Sequence, residues 1–214
     1  MIDAAAEPRL LGVLLAGGLS SRMGTPKGLL PHPNGGTYLD HSLRRLRSVC
    51  GEQIAVSIAA DETDAASALP SDILPAEITR LRDARPNLGP AMGVHVSLQH
   101  AASNGYLGCL FTPVDLPDLL ADDLASLIQT WREQPTKILL ARQTDPERLQ
   151  PLVGIYPVSD LDRVQSVVES THRSLYRFLQ STDHRTFDLP ASRLRNVNTP
   201  ADRDPSFDRN QPSE

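Results

Sequence analysis

A glycine-rich segment that carries two cations, residues 15–27, has the composition of a phosphate-binding loop. It reads Leu-Ala-Gly-Gly-Leu-Ser-Ser-Arg-Met-Gly-Thr-Pro-Lys and follows an apolar run, residues 11–15, that is typical of a buried strand. Glycine lets the backbone approach a ligand closely, and successive N–H groups of such a loop form an anion-binding concavity. Arg22 and Lys27 add charges that can reach phosphate oxygens. We therefore predict a triphosphate site here, with a solvated glycine-rich turn as the alternative.

Two common phosphate loops do not match this segment. It lacks the GxxxxGK[ST] pattern of a Walker loop, and its glycines miss the GxGxxG spacing of dinucleotide-binding folds. It resembles instead the pattern LAGGxSxRMGxxK of nucleotidyltransferases with a Rossmann-like fold, and every fixed position is matched from Leu15 to Lys27. The resemblance implies an α/β fold of three layers with a mostly parallel central sheet. It also implies backbone contacts to the nucleotide at Leu15, Ala16, Gly17 and Gly18.

Two polar residues near the ends of further predicted strands are candidates for contacts with the nucleotide. Ser57 lies near the end of one apolar run, and Asp83 follows another and opens a Gly/Pro loop. Ligands gather at the carboxyl ends of strands in open α/β sheets. The family's matching loop reads D…GPLAG, and its Asp contacts the nucleotide, which implies that role for Asp83. Here the glycines and the proline remain but Ala91 and Met92 replace Leu-Ala. The alternative for Asp83 is a turn residue bonded to its own loop.

The most convincing predicted strand, residues 106–114, leads into Asp115. An isolated carboxylate after a buried strand is costly unless it is paired, hydrated or bound to a metal. Residues 112–117, Thr-Pro-Val-Asp-Leu-Pro, resemble the family's CDxP segment, in which the Asp binds Mg²⁺. The resemblance therefore implies that Asp115 is a metal ligand. A helix-capping or turn aspartate is the alternative.

Apolar periodicity predicts the elements that would position these residues. Trp131 is expected in the core, and Arg44, Arg45 and Arg47 lie off the apolar stripe of the first helix, which suggests a solvated face. The first helix is expected to begin after a cap at Thr37 and to end at residue 50, and a helix over 61–69 has only poor apolar periodicity. Another helix is expected from the second Gly/Pro loop to about residue 102. Three more are expected over 120–132, 159–169 and 174–179. Strands are expected over 54–58, 78–82, 138–141, 152–156 and 185–189, with polar residues 142–150 as a connection.

A motif near the carboxyl end is the most discriminating one. Residues 196–202, Asn-Val-Asn-Thr-Pro-Ala-Asp, resemble NVNTPxD of the molybdenum cofactor guanylyltransferases, whereas their cytidylyl relatives tend to carry DxDTP. Taken alone, Thr199-Pro200 is a helix start. Gln150-Pro151 stands where the family usually has His-Pro. The three motifs occur in the family's order, and the resemblance spans roughly residues 11–202.

The resemblance implies an activity and a role for each matched residue. The enzymes of this family transfer GMP from GTP to the terminal phosphate of molybdopterin (the Mo-molybdopterin cofactor) and release pyrophosphate. Arg22 and Lys27 would clamp the phosphates, Asp115 would hold Mg²⁺, and Asn196 and Asn198 would border the pterin. Three alternatives stay open: a cytidylyltransferase, a sugar-nucleotide enzyme and a non-catalytic nucleotide sensor.

Composition sets further expectations. A chain of 214 residues suits one nucleotidyltransferase domain over 11–203, between a leader (1–10) and a disordered tail (204–214). A net charge of −5 argues against a nucleic-acid partner, and the absence of a long apolar run or signal peptide predicts a cytoplasmic protein without a membrane partner. Cys50 and Cys109 are expected to be reduced. We expect a monomer, and the lability of the pterin in the family makes a cofactor-delivering protein or a molybdoenzyme a plausible partner.

Overall fold

A seven-stranded mixed sheet forms the centre of the chain. The computed structural model describes residues 8–16, 26–58, 69–70, 73–83 and 88–197. The strands are β1 Leu10–Leu15, β2 Ile54–Ile58, β3 Thr79–Arg82, β4 Gly108–Pro113, β5 Ile138–Thr144, β6 Glu147–Pro157 and β7 His184–Leu189, in the spatial order β3-β2-β1-β4-β6-β5-β7. Of these strands, only β6 runs antiparallel to its neighbours. The predicted mostly parallel sheet is confirmed.

The two strands that lead into the candidate site are neighbours. β1 pairs in parallel with β4, from Leu10 opposite Gly108 to Leu15 opposite Pro113, and β2 flanks β1 on its other side. Every residue of β1 is buried, which accounts for its continuous apolar sequence, since a parallel strand in the middle of a sheet is covered on both faces. The carboxyl ends of β1, β2 and β4 therefore lie side by side at one edge of the sheet.

Helices cover both faces of the sheet, as the three-layer prediction requires. They are α1 Tyr38–Cys50, α2 Pro90–Ser103, α3 Ala121–Arg132, α4 Leu161–Glu169 and α5 Leu175–Gln180, with short 3₁₀ turns at Lys27–Leu29, Val158–Asp160 and Ala191–Leu194. Apolar residues of α1 and α3 pack with one face of β1, and those of α2, α4 and α5 pack with the other. Trp131 is fully buried, and its indole N–H donates to the Lys137 carbonyl at 2.9 Å, so its predicted core position is confirmed.

Local signals set the starts of the two helices nearest the site. The Thr37 side chain accepts a hydrogen bond from the Asp40 N–H at 3.1 Å, and Asp40 accepts one from the Thr37 N–H at 2.9 Å, which is a complete capping box at α1. At α2, Gly89 has a φ of 69°, a left-handed conformation that favours glycine, and Pro90 occupies the first helical position. Both predicted helix starts are confirmed.

The prediction of one solvated arginine face on α1 is wrong for Arg45. Arg44 is exposed and Arg47 is half-buried, but Arg45 is only 9% exposed. Its guanidinium lies beneath the loop that follows β4 and donates hydrogen bonds to two carbonyls of that loop. A position beside the apolar stripe therefore became buried because a distant loop supplies acceptors there.

The predicted connection over residues 142–150 is also wrong in part. β5 continues to Thr144 and β6 begins at Glu147, so most of these polar residues belong to an antiparallel pair of strands. Arg142 explains part of the extension, since it pairs with Asp188 of β7 at 2.7 Å and with Glu147 at 3.2 Å. Cross-strand pairs of opposite charge stabilise exposed strands.

Several expectations fall where the structure describes nothing. The helix expected over 61–69 lies outside the described residues except for Leu69, and so do the helix start at Thr199-Pro200, most of the leader and the tail. Cys109 is buried, Cys50 is half-buried, and both are free thiols. Among the described residues, no helix combines the length and the hydropathy needed to cross a bilayer.

Candidate active site

Lys27 and Asp115, which are 88 positions apart in the sequence, form an ion pair at the carboxyl edge of the sheet. Lys27 Nζ donates to Asp115 Oδ2 at 2.8 Å. Lys27 is the last residue of the glycine-rich segment and the first of a 3₁₀ turn, and Asp115 lies two residues beyond β4. The side chains are 25% and 17% exposed, so a ligand can reach the pair. The structure thus brings the candidate phosphate clamp to the candidate metal ligand.

Backbone hydrogen bonds hold Asp115 in place. The N–H of Val114 donates to the Leu15 carbonyl at 3.2 Å, and the N–H of Val197 donates to the Asp115 carbonyl at 2.9 Å. The first bond joins the loop after β4 to the end of β1, and the second joins it to the Asn-Val segment near the carboxyl end. Asn196, which directly precedes Val197, therefore lies next to the backbone of Asp115 in the fold.

A second group of polar residues surrounds the end of β2. The N–H of Ala16 donates to the Ser57 carbonyl at 3.0 Å, and the N–H of Asp83 donates to the Ile58 carbonyl at 3.0 Å. Gly93 of α2 packs against this group: a Cβ atom there would lie 2.7 Å from Ser57 Oγ and 3.7 Å from Asp83 Oδ1. Ser57, Asp83 and Gly93 therefore share one small region beside the end of β1.

The Asp83 carboxylate is electrostatically unusual. Its Oδ1 atom is buried and has no hydrogen-bond partner among the described residues. Burial raises the pKa of the Asp83 carboxyl to about 6. A buried acceptor without a donor is costly, and such groups collect at functional sites, where a ligand supplies the missing partner. Asp83 is thus available to accept a hydrogen bond from an O–H or N–H group of a ligand.

The replacement of the family's Leu-Ala by Ala91-Met92 affects the core. The two side chains are 0% and 2% exposed and belong to the apolar cluster between the sheet and α2. The departure from the family pattern therefore changes packing beneath the site.

A polar cavity of about 490 Å³ lies between the β5–β6 pair and the segment 191–196. Two arginines and two amides line it with Asn196: Gln143, Arg148, Gln150 and Arg195. Arg195 also pairs with Asp118, in the same loop as Asp115, at 3.0 Å. The cavity and Asp115 are thus joined by the Arg195–Asp118 pair and by the backbone bond of Val197.

Sequence reasoning did not single out Arg148, Arg195 or Gly93. Arg148 lay in a stretch interpreted as a connection, and its place in the cavity depends on the β5–β6 register. Arg195 directly precedes the Asn-Val-Asn motif, and that adjacency was the available signal. Gly93 is the last glycine of the Gly/Pro motif that Asp83 opens, and the structure places it inside α2.

The predicted site residues divide into two sets. The structure describes Leu15, Ala16, Lys27, Ser57, Asp83, Asp115 and Asn196. Four others lie outside the described residues, namely Gly17, Gly18, Arg22 and Asn198.

The Asp115 carboxylate fits a divalent metal ion that arrives with a phosphate ligand. The described residues contain no group of three or more His, Cys, Asp or Glu side chains that could form a metal site by themselves. Mg²⁺ in phosphate-transfer sites is usually held by one or two carboxylates together with substrate phosphates and water. Asp115, a partly exposed carboxylate beside a candidate phosphate clamp, meets that requirement.

This combination of a glycine-rich sequence after the first strand, a Lys–Asp pair at the sheet edge and a mixed sheet defines a nucleotidyltransferase with a Rossmann-like fold. Comparison with known proteins narrows the class. The family model of the MobA-like NTP transferase domain matches residues 12–186. The chain belongs to this family.

Individual proteins agree with this assignment. A Rhodopirellula baltica protein named "Probable molybdenum cofactor guanylyltransferase" is 67% identical over 204 residues, which cover 95% of this chain and 94% of the relative. The crystal structure of molybdopterin-guanine dinucleotide biosynthesis protein A from Archaeoglobus fulgidus superposes with a TM-score of 0.70 at 19% identity, over 90% of this chain and 94% of the other. A Mycobacterium tuberculosis protein solved in complex with manganese has a TM-score of 0.63 at 18% identity, over 91% of this chain and 95% of that protein. The two structures support the fold.

Proposed function

We propose that the protein is a molybdenum cofactor guanylyltransferase, which transfers GMP from GTP to the terminal phosphate of molybdopterin and releases pyrophosphate. The similarity to the Rhodopirellula baltica protein, 67% identity over almost the whole of both chains, supports the choice of GTP and of the pterin acceptor. The observation that carries the chemistry is the Lys27–Asp115 ion pair, 2.8 Å long, at the edge of the sheet where the glycine-rich segment begins.

The reaction is a displacement at phosphorus. An oxygen of the molybdopterin phosphate forms a bond to the α-phosphorus of GTP, and the bond from that phosphorus to the oxygen bridging to the β-phosphate breaks. Pyrophosphate leaves with the electron pair of the broken bond. No covalent bond to the protein is needed, so catalysis depends on positioning the two phosphates and on neutralising charge as it develops.

Lys27 is suited to neutralise the charge on the leaving pyrophosphate. It ends the glycine-rich segment, and its ammonium group is held at the site by the Asp115 carboxylate. Arg22, outside the described residues, would provide the second positive charge. Asp115 would hold Mg²⁺, which when bound offsets the charge of the phosphate oxygens.

The end of β2 is suited to the nucleoside. Asp83 Oδ1 can accept a hydrogen bond from a ribose O–H or a base N–H, because no described residue donates to it. The missing Cβ of Gly93 leaves room beside Ser57 and Asp83. Backbone groups from Leu15 to Gly17 would contact the base.

The polar cavity beside residues 191–196 is suited to the acceptor. Arg148 and Arg195 can attract its phosphate, and the amides of Gln143, Gln150 and Asn196 can both donate and accept hydrogen bonds. A pterin ring presents N–H donors and ring-nitrogen and carbonyl acceptors, so amides complement it well. Asp115 is joined to this cavity through Val197 and Arg195, which would bring the acceptor phosphate towards the nucleotide.

Titration calorimetry with GTP, CTP, ATP and UTP, each with Mg²⁺, tests the donor. Selective binding of GTP, followed by pyrophosphate release when molybdopterin is added, would establish the proposed reaction. Selective binding of CTP would make the protein a cytidylyltransferase, and pyrophosphate release with a sugar 1-phosphate would make it a sugar-nucleotide enzyme. Binding of GTP without any pyrophosphate release in the presence of molybdopterin would indicate a nucleotide sensor.

A further inference from the structure

Arg45 is a buried cation whose two shortest hydrogen bonds go to the loop between β4 and α3. Its side chain is on α1, 9% exposed, and its Nη1 atom donates to the carbonyls of Leu116 at 2.9 Å and Leu119 at 2.7 Å. Nη2 lies 3.4 Å from Ser42 Oγ, a weaker contact within the same helix. Each of the two N–H bonds of Nη1 can therefore serve one carbonyl of the loop between β4 and α3.

The burial of this charge is expensive and therefore informative. Removing a guanidinium from water costs free energy unless hydrogen bonds and an opposite charge compensate. Burial lowers the pKa of Arg45 to about 10, so the group stays charged at neutral pH. The negative charge of Asp123 offsets part of this effect of burial. Both acceptors of Nη1 are main-chain carbonyls, so the guanidinium holds the backbone of the loop between β4 and α3 in place.

That loop carries two residues of the candidate site. Asp115 comes immediately before Leu116, and Asp118, the partner of Arg195, lies between the two carbonyls that Arg45 holds. Two consecutive carbonyls are thus held by different segments of the chain: the N–H of Val197 donates to that of Asp115, and Arg45 donates to that of Leu116. The backbone on the carboxyl side of Asp115 is therefore held by hydrogen bonds from Arg45.

We propose that Arg45 is a positioning residue for Asp115, which orients the carboxylate toward the metal and nucleotide by holding the carbonyls of Leu116 and Leu119. The inference rests on the proposed function, because it assigns Asp115 to a metal–nucleotide complex. Arg45 touches neither substrate nor metal and acts through the backbone.

Mn²⁺ binding in the presence of GTP provides a test that does not depend on turnover. The affinity of the protein for Mn²⁺ together with GTP is measured by electron paramagnetic resonance of Mn²⁺, for the full chain and for Arg45→Met, Arg45→Lys and Arg44→Met. The same mixture of Mn²⁺ and GTP without protein is the reference, because GTP binds Mn²⁺ by itself. Circular dichroism and thermal melting establish that each variant is folded at the assay temperature. Arg44 is the matched control, since it is the neighbouring arginine on α1 but is exposed.

The expected order of affinities follows from the hydrogen bonds. Arg45→Met loses both loop contacts and should raise the dissociation constant for Mn²⁺ about tenfold, the equivalent of one strong charged hydrogen bond. Arg45→Lys keeps the charge and can reach one carbonyl, so its constant should lie between those of Arg45→Met and the unaltered protein. Arg44→Met should match the unaltered protein.

Two results would overturn the inference for different reasons. If folded Arg45→Met or Arg45→Lys binds Mn²⁺ with the affinity of the unaltered protein, Arg45 supports the fold alone and the proposed function still stands. If the unaltered protein shows no GTP-dependent Mn²⁺ binding, the proposed metal–nucleotide site fails and the inference fails with it. Should Arg45→Met not fold, the comparison of Arg45→Lys with Arg44→Met decides the question.

Discussion

Replacement of Asp83 by Asn should make the protein more stable at neutral pH while it weakens nucleotide binding. The carboxylate is partly buried, its Oδ1 atom is buried without a donor among the described residues, and its pKa is raised from 3.8 to about 6. A group with a raised pKa keeps its proton in the folded state at a pH where the unfolded state has lost it. The folded protein is therefore stabilised relative to the unfolded chain at low pH, and this stabilisation is lost as the pH rises from about 4 to about 6.

The size of the change in stability follows from the pKa shift of Asp83. About two pKa units at about 1.4 kcal/mol each give an upper limit of about 3 kcal/mol for the cost of the charged carboxylate in the folded protein above pH 6. Because the side chain is only partly buried, solvent screening reduces this value, and we expect about 1–2 kcal/mol. Asn carries no charge, so the variant should gain this amount at pH 8.

Urea unfolding of the two proteins between pH 5 and pH 8 measures this difference. The stability advantage of Asp83→Asn should widen as the pH rises from 5 to about 7 and then stay constant. Asp122→Asn, which changes an exposed carboxylate at the start of α3, should show no such gain. Calorimetry should show GTP bound about tenfold more weakly by Asp83→Asn, since an amide oxygen is a weaker acceptor than a carboxylate. A variant that is less stable than the unaltered protein at pH 8, or an advantage that does not change with pH, would refute the reasoning.

Three further variants address the rest of the site. Lys27→Met should lower the rate of pyrophosphate release by a factor on the order of 100, because one preorganised donor contributes about 3 kcal/mol to transition-state stabilisation, and unchanged steady-state kinetics would contradict the clamp. Asp115→Asn should abolish the response of that rate to Mg²⁺ while stability changes by less than about 1 kcal/mol, as for other partly exposed ion pairs; a rate that still rises with Mg²⁺ would remove Asp115 from the site. Gly93→Ala should destabilise the folded state by about 1 kcal/mol, because the contact at 2.7 Å with Ser57 Oγ outweighs the higher helix propensity of Ala, and adding Ser57→Ala, which removes that Oγ atom from β2, should restore stability. A Gly93→Ala protein with unchanged urea midpoint would show that the contact is not restrictive.

Features that depend on neighbouring residues were predictable from the sequence. The apolar runs of β1 and β4 indicate buried strands because both faces of a central parallel strand are covered. The cap at Thr37 could be expected because its partner, Asp40, is three residues away. The candidate site residues could be named because they belong to short motifs, and the ends of parallel strands meet at one edge of the sheet.

Features that depend on distant partners could not be predicted in the same way. Arg45 lies beside the apolar stripe of α1, where a long cationic side chain usually extends into water, and its burial is decided by carbonyls that are 71 and 74 positions away. The polar ends of β5 and β6 are strands because Arg142 has Asp188 of β7 beside it, 46 positions along the chain.

The sequence by itself indicated the order of the described strands and helices and the family, and it named the residues of the candidate site, because hydrophobic pattern, turn residues and short motifs are local properties. The tertiary structure decided which charges meet. It paired Lys27 with Asp115, left Asp83 Oδ1 without a described donor and placed Arg45 beneath the Asp115 loop. Charge interactions depend on distance and burial, and both are set only when remote segments pack together.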